Sequence, residues 1–245
     1  MEHEKPRIRS EFRWVDDVVH AQPEVPWMGP FMVYLLLLTP MEWFPAHLYP
    51  IPIALRGIGG LWAAWLVRHH LPSLGRPHLL LAIIFGVLAA AGWVAGQHAF
   101  NHWVEHAGLA GKNFFFKIHT GEDPRIGISA ASWWSQAVLR ISVAMITVPI
   151  IEELFWRGFA LRAFVSWKHW ERVPHGTFTW FSFLGTSLLS VAQHPSNWGV
   201  SILCWMLFNG LFYWKRSLLF LMFVHGITNL VLYVYVILYN DWLFW

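Results

Sequence analysis

An all-α integral membrane protein, a polytopic bundle of about seven (seven to eight) transmembrane helices, is what the sequence predicts, on three observations. Of 245 residues, 56% are hydrophobic and only 13% are charged. A soluble domain carries about 25% charged and about 45–50% apolar residues, so this much apolar surface needs lipid as its solvent. Apolar runs near the ~20 residues that cross a bilayer recur along the chain. The 18 Trp and 19 Phe fit as well, because indole rings favour the headgroup boundary.

Taken in order, residues 1–27 read as a charged cytoplasmic leader with a short interfacial helix around residues 10–19, and no cleavable signal is expected. Residues 28–245 read as one membrane-embedded domain. The first apolar segment, about 28–46, contains Pro40 and Pro45 and should kink; Glu42 near its outer end reads as interfacial. The second, about 51–67, has glycines that permit close helix contact. The third covers about 79–97 and the fourth about 133–151. The fifth, about 177–194, ends with His194 in its last turn, directly before Pro195. The sixth and seventh cover about 197–213 and 217–239.

Basic residues orient the bundle. With the N-terminus inside, twelve of the 17 Lys and Arg fall toward the cytoplasmic side and five toward the outside, a positive-inside bias. The loop over about 98–132, with Phe114–Phe116, and the C-terminal Asn240–Trp245 then lie outside. No basic run resembles a nucleic-acid patch. Cys204 is alone, so it forms no internal disulfide.

Chemistry concentrates in Pro149–Arg162, PIIEELFWRGFALR. Ionisable groups at membrane depth are costly and usually face a cavity or a partner. Glu152 and Glu153, as neighbours on a helix, point about 100° apart. Glu153 and Arg157 have the favourable i, i+4 order for an ion pair, which leaves Glu152 to face elsewhere. A plain ion-pair cluster at the membrane edge is the simpler reading of the same residues. Segment seven is uncharged but carries His225 and Asn229 on one face. If segment four ended at residue 151, Glu152 and His194 would sit at opposite membrane faces. A helix running from about 137 to 167 would instead span roughly 45 Å at ~1.5 Å per residue and bring Glu152 near mid-depth. A second constellation, His98, His102 and His106 with Glu105 between, shares one helix face and is a weaker metal candidate.

Three motifs carry a resemblance. EELFWR resembles the EExxxR motif of the CPBP family, the CAAX-protease and bacteriocin-processing (Abi) membrane peptidases, and HGITN resembles its HxxxN/D motif. SVAQH matches the histidine of the middle FxxxH motif, with Ser190 in place of the phenylalanine. The resemblance covers about residues 133–239. Size and segment layout also resemble the CAAX-protease-related proteins that accompany exosortase sorting systems. The family implies an intramembrane glutamic endopeptidase that cuts a membrane-associated, prenylated or sorted protein near its C-terminus. It implies that Glu152 and His194 activate a water, that His225 and Asn229 stabilise the oxyanion, and that Glu153 and Arg157 are structural or orient the substrate. No cofactor or metal is implied. The expected partners are a membrane-anchored protein or peptide, the lipid bilayer and a sorting-system component, and the expected location is a bacterial cytoplasmic membrane. Two other readings stay open: Glu152, His194 and His225 as zinc ligands, and a non-enzymatic scaffold, immunity protein or proton-coupled carrier.

Overall fold

The computed structural model describes residues 10–38, 43–118 and 120–245. Pro40, Glu42 and the leader's Lys5, Arg7 and Arg9 therefore lie outside the described residues. The described residues are helical with no strand, as the composition requires. Among the described residues three helices are long and apolar enough to cross a membrane: Pro50–His70, Leu79–His106 and Leu218–Tyr239.

The leader helix α1 (Arg13–Ala21) begins slightly later than the sequence suggests. It is amphipathic: Val15 is buried against Leu66 and Val67, while Trp14 stays exposed. Asp16 pairs with His70 at 2.9 Å and Arg68 with Glu11. The leader is thus tied to the C-terminal end of α3 (Pro50–Val67) and does not hang free.

Segment one corrects to α2 (Val25–Leu36), 12 residues with Pro26 at its start. At ~1.5 Å per residue that is about 18 Å, short of the ~30 Å hydrocarbon core. Segment three lengthens to α4 (Leu79–His106), 28 residues. His98, His102 and His106 therefore continue a membrane helix and do not open a loop. The glycines of α3 act as expected. Gly57 lies against Val143, a Cβ on Gly60 would lie 3.0 Å from Thr147, and the Thr147 hydroxyl donates to the Gly57 carbonyl at 3.3 Å.

Residues 130–165, here α5, form one continuous helical stretch assembled from Ala130–Ser142, Val143–Thr147, Val148–Glu153, Leu154–Ala160 and Leu161–Val165. Ser129 caps its start by accepting from the Ser132 amide at 3.2 Å. The second and fourth pieces are wider π-helical turns, a geometry that gathers at functional sites. The two bracket the glutamate pair. Pro149 has no N–H to donate, and the Val148 N–H reaches back to the Val143 carbonyl. The helix therefore offers the Ala144 carbonyl no donor at positions 148 and 149, and the Asn229 side chain supplies one at 2.7 Å.

Three helices complete the bundle: α6 (Trp180–Leu189), α7 (Trp198–Lys215) and α8 (Leu218–Tyr239). Helix α8 packs most extensively on α4, and Thr228 donates to the Gly86 carbonyl at 3.2 Å. On its other side α8 meets the wide turn of α5. A Cβ on Gly226 would lie 2.6 Å from the Met145 carbonyl oxygen, the acceptor that Pro149 leaves without its usual partner. Only a residue without a side chain lets His225 and Asn229 come this close to α5. The C-terminal turn Trp242–Phe244 folds back over the α5 start, where Trp133 meets Trp242 and Trp245.

Candidate active site

Glu152 and Glu153 sit in the α-helical turn Val148–Glu153, both buried. As the spacing predicts, they serve different partners. Glu153 Oε1 accepts from Arg157 Nη1 at 3.1 Å and meets His225 Nδ1 at 2.9 Å. Glu153 and Arg157 are both fully enclosed. Arg157 Nε donates to Asn209 Oδ1 at 3.1 Å, and the Asn209 amide donates in turn to Thr186 and Ser187 at 3.0 and 3.1 Å. This chain ties α5 to α6, α7 and α8 through one buried ion pair.

Glu152 turns the other way. Its Oε1 accepts from Gln193 Nε2 at 3.1 Å, and Gln193 Oε1 accepts from the Trp156 indole at 2.8 Å. The indole can only donate, so it sets the amide's orientation and leaves the Gln193 N–H for Glu152. Gln193 stands inside SVAQH beside His194, where sequence reasoning treats it as a spacer. Its polarity in an apolar run was the available signal.

His194 departs from the expected helical turn. Helix α6 ends at Leu189, the tighter turn Ser190–Ala192 follows, and His194 adopts a non-helical backbone before Pro195. Its ring lies edge-on to Trp93 and Trp205, with centroids 5.2 and 5.5 Å away. Ser190, where the family motif has a phenylalanine, is fully buried and accepts from the Ser201 hydroxyl at 2.7 Å.

Glu152, His194, His225 and Asn229 all line one cavity of about 340 Å³. The helical stretch of α5 continues past Glu152 to Val165, and Glu152 and His194 share a cavity instead of facing opposite ends of the bundle. The arrangement also qualifies two expected roles. Asn229 Nδ2 already serves the Ala144 carbonyl, so one N–H of that amide remains for a ligand. His225 Nδ1 faces a carboxylate and so carries hydrogen. Its Nε2 then donates when the ring is an imidazolium and accepts when it is neutral.

The sequence of this region matches the model of a known family, described as Type II CAAX prenyl endopeptidase Rce1-like, over residues 133–231. The match is consistent with the CPBP resemblance, takes in all three motifs, and supports a membrane protease. No curated protein and no solved structure matches the chain.

The metal readings fare differently. Among the described residues no group of three or more His, Cys, Asp or Glu side chains is arranged to hold a metal ion. His98 instead bonds Asp241 at 2.7 Å, while His102 and His106 stack at 3.9 Å. The shared helix face is real, but its rings pair with each other and with the C-terminal turn. Glu152, His194 and His225 line the cavity without forming a ligand set.

Proposed function

We propose that the protein is a glutamic intramembrane endopeptidase that cuts a membrane-anchored protein or peptide near its C-terminus. The observation that carries this reading is the convergence of Glu152, His194, His225 and Asn229 on one cavity. Glu152, held by Gln193 through one oxygen, keeps its second oxygen for water. Together with His194 it takes a proton as the water attacks the scissile carbonyl, and Glu152 returns that proton to the leaving amine. Developing charge on the carbonyl oxygen needs preorganised donors in a dry site. The free N–H of Asn229 and, when the ring is an imidazolium, the Nε2–H of His225 would supply them. Glu153 and Arg157 act one step back: the carboxylate orients the His225 ring, as an acidic partner does in a catalytic triad.

The test is cleavage by the purified chain in proteoliposomes, offered a farnesylated CAAX peptide and a non-prenylated, membrane-anchored peptide. One internal cut, read by mass spectrometry and unaffected by chelator, is expected. A folded chain that binds either peptide and returns both uncut would instead support a scaffold or carrier.

We further propose seven membrane segments, α2 to α8, in a bacterial cytoplasmic membrane with the N-terminus inside, the short α2 and α6 crossing where the bilayer is locally thinned. The basic-residue bias supports this orientation. Residues 107–129 and the C-terminal turn then lie outside, at the cavity's Trp245 end. Cysteine placed at Lys112 should react with an impermeant maleimide added outside. The native Cys204 is buried and should stay silent. Labelling from the cytoplasmic side alone would reverse the orientation.

A further inference from the structure

The cavity contains more positive charge than the hydrolytic groups call for. Arg56 from α3 and Arg140 from α5 both line it, alongside Glu152 and His225. Neither guanidinium is paired with a carboxylate among the described residues. Arg56 Nε is enclosed without a hydrogen-bond partner, and the Tyr34 ring lies 5.8 Å from the guanidinium. Arg140 has a long hydrogen bond to the Tyr233 hydroxyl, 3.4 Å, and the Trp245 ring 4.8 Å away. Arg56 and Arg140 are half-buried; the two buried arginines have protein acceptors, although Arg157 and Arg162 each keep one Nη2 without a partner. Arg157 has Glu153 and Asn209, while Arg162 donates to the Gly158 carbonyl at 2.5 Å and lies between the Trp27 and Trp170 rings.

We propose that Arg56 and Arg140 form a subsite for the free α-carboxylate at the C-terminal end of the peptide to be cut. This deepens the proteolytic reading and rests on it: the enzyme would recognise a chain end. An unpaired cation at membrane depth is expensive, and two of them facing one cavity leave a charge deficit that an incoming anion fills. Glu152, the one acidic side chain among the described residues lining the cavity, is held by Gln193 and assigned to water. Guanidinium groups hold carboxylates through paired, planar hydrogen bonds. Arg56 and Arg140 both line the cavity and neither has a carboxylate partner among the described residues, which leaves their hydrogen-bonding capacity for such an acceptor. An extended peptide covers ~3.3–3.6 Å per residue. A carboxylate held at the arginines while Glu152 addresses the scissile bond therefore sets the cut a fixed, short distance from the chain end. Neither arginine belongs to the three family motifs, and Arg56 lies outside the matched residues 133–231. A lipid phosphate would offer related chemistry, but these groups line the same cavity as Glu152, His194 and His225. The observations therefore favour the peptide.

The experiment compares one farnesylated CAAX peptide bearing a free C-terminal carboxylate with its C-terminal amide, using the full chain in phosphatidylcholine nanodiscs. Binding is read on Glu152→Gln protein, and KM and kcat on wild type. The carboxylate form is expected to bind, and to show a KM, at least tenfold better than the amide, with kcat changed little. Arg56→Gln and Arg140→Gln should each weaken binding of the acid toward that of the amide and leave the amide unaffected. Equal binding of acid and amide to the unsubstituted arginine pair overturns the proposal, whether or not the peptide is cut. Arginine variants that weaken both peptides alike overturn it too. A loss that appears only in phosphatidylglycerol nanodiscs, for both peptides, would assign the pair to lipid phosphate. An acid preference in binding with no cleavage would leave the subsite standing and sink the proteolytic reading.

Discussion

Glu153→Gln is expected to destabilise the folded protein by ~3–5 kcal/mol, the usual cost of removing one partner from a buried ion pair. Glu153 and Arg157 are fully enclosed, and Glu153 Oε1 is shared between Arg157 and His225. The substitution leaves the guanidinium buried without its counter-charge, with only neutral oxygens, the new amide's and that of Asn209, to accept from it. It also removes the charge that orients His225, so activity should fall even where the variant stays folded. Thermal unfolding in detergent, followed by tryptophan fluorescence, reads the stability effect. Adding Arg157→Leu to Glu153→Gln should recover a large part of the loss, because exchanging a whole buried pair for apolar packing is often close to neutral. The recovery will be incomplete, since Asn209 then loses an acceptor role it fills at 3.1 Å. A single variant as stable as wild type, or a double variant that adds the two losses, would show that the pair does not hold the bundle together.

Much of this arrangement is legible in the sequence for a physical reason. Local spacing determines which side chains share a helix face, so the Glu153–Arg157 pair, the divergence of Glu152 and the His225–Asn229 face follow from i, i+4 geometry. The long α5 is legible as well, because the apolar pattern continues past Glu152 while a strict span would have ended there. What is not legible depends on register between helices. The sequence pairs Glu153 only with Arg157; that His225 reaches the same oxygen depends on Gly226 letting α8 approach the wide turn of α5. The use of Asn229 to serve the Ala144 carbonyl depends on a π-helical turn followed by Pro149, a backbone detail that composition does not reveal. Gln193 was hidden in a motif spacer. The histidine face at His98–His106 misled because a shared face is necessary for a metal site but does not aim three ring nitrogens at one point. Arg56 and Arg140 are 84 positions apart in the sequence, so no local pattern relates them, and only the cavity brings them together.

Glu152→Gln should leave the fold intact and lower peptide hydrolysis by about a hundred-fold or more, within the ~10²–10⁴ that positioned acid–base groups contribute. The substitution keeps the side chain's size and an oxygen that can still accept from Gln193, so the Trp156–Gln193 link on which the carboxylate rests survives. It removes only the basic oxygen offered to water. Unlike Glu153, Glu152 holds no arginine, so its loss strands no opposite charge, and thermal stability should stay at or above wild type. The contrast between adjacent glutamates is therefore the measurement: one variant folded and inactive, the other unstable first. Metal chemistry is separated in the same assay. If Glu152, His194 and His225 held zinc, chelation would abolish wild-type turnover and added zinc would restore it, whereas a carboxylate base leaves turnover indifferent to both. Zinc-restored turnover would replace the glutamate mechanism with a metal one. A Glu152→Gln variant cutting at the wild-type rate would remove Glu152 from either chemistry and leave the cavity's function to its other walls.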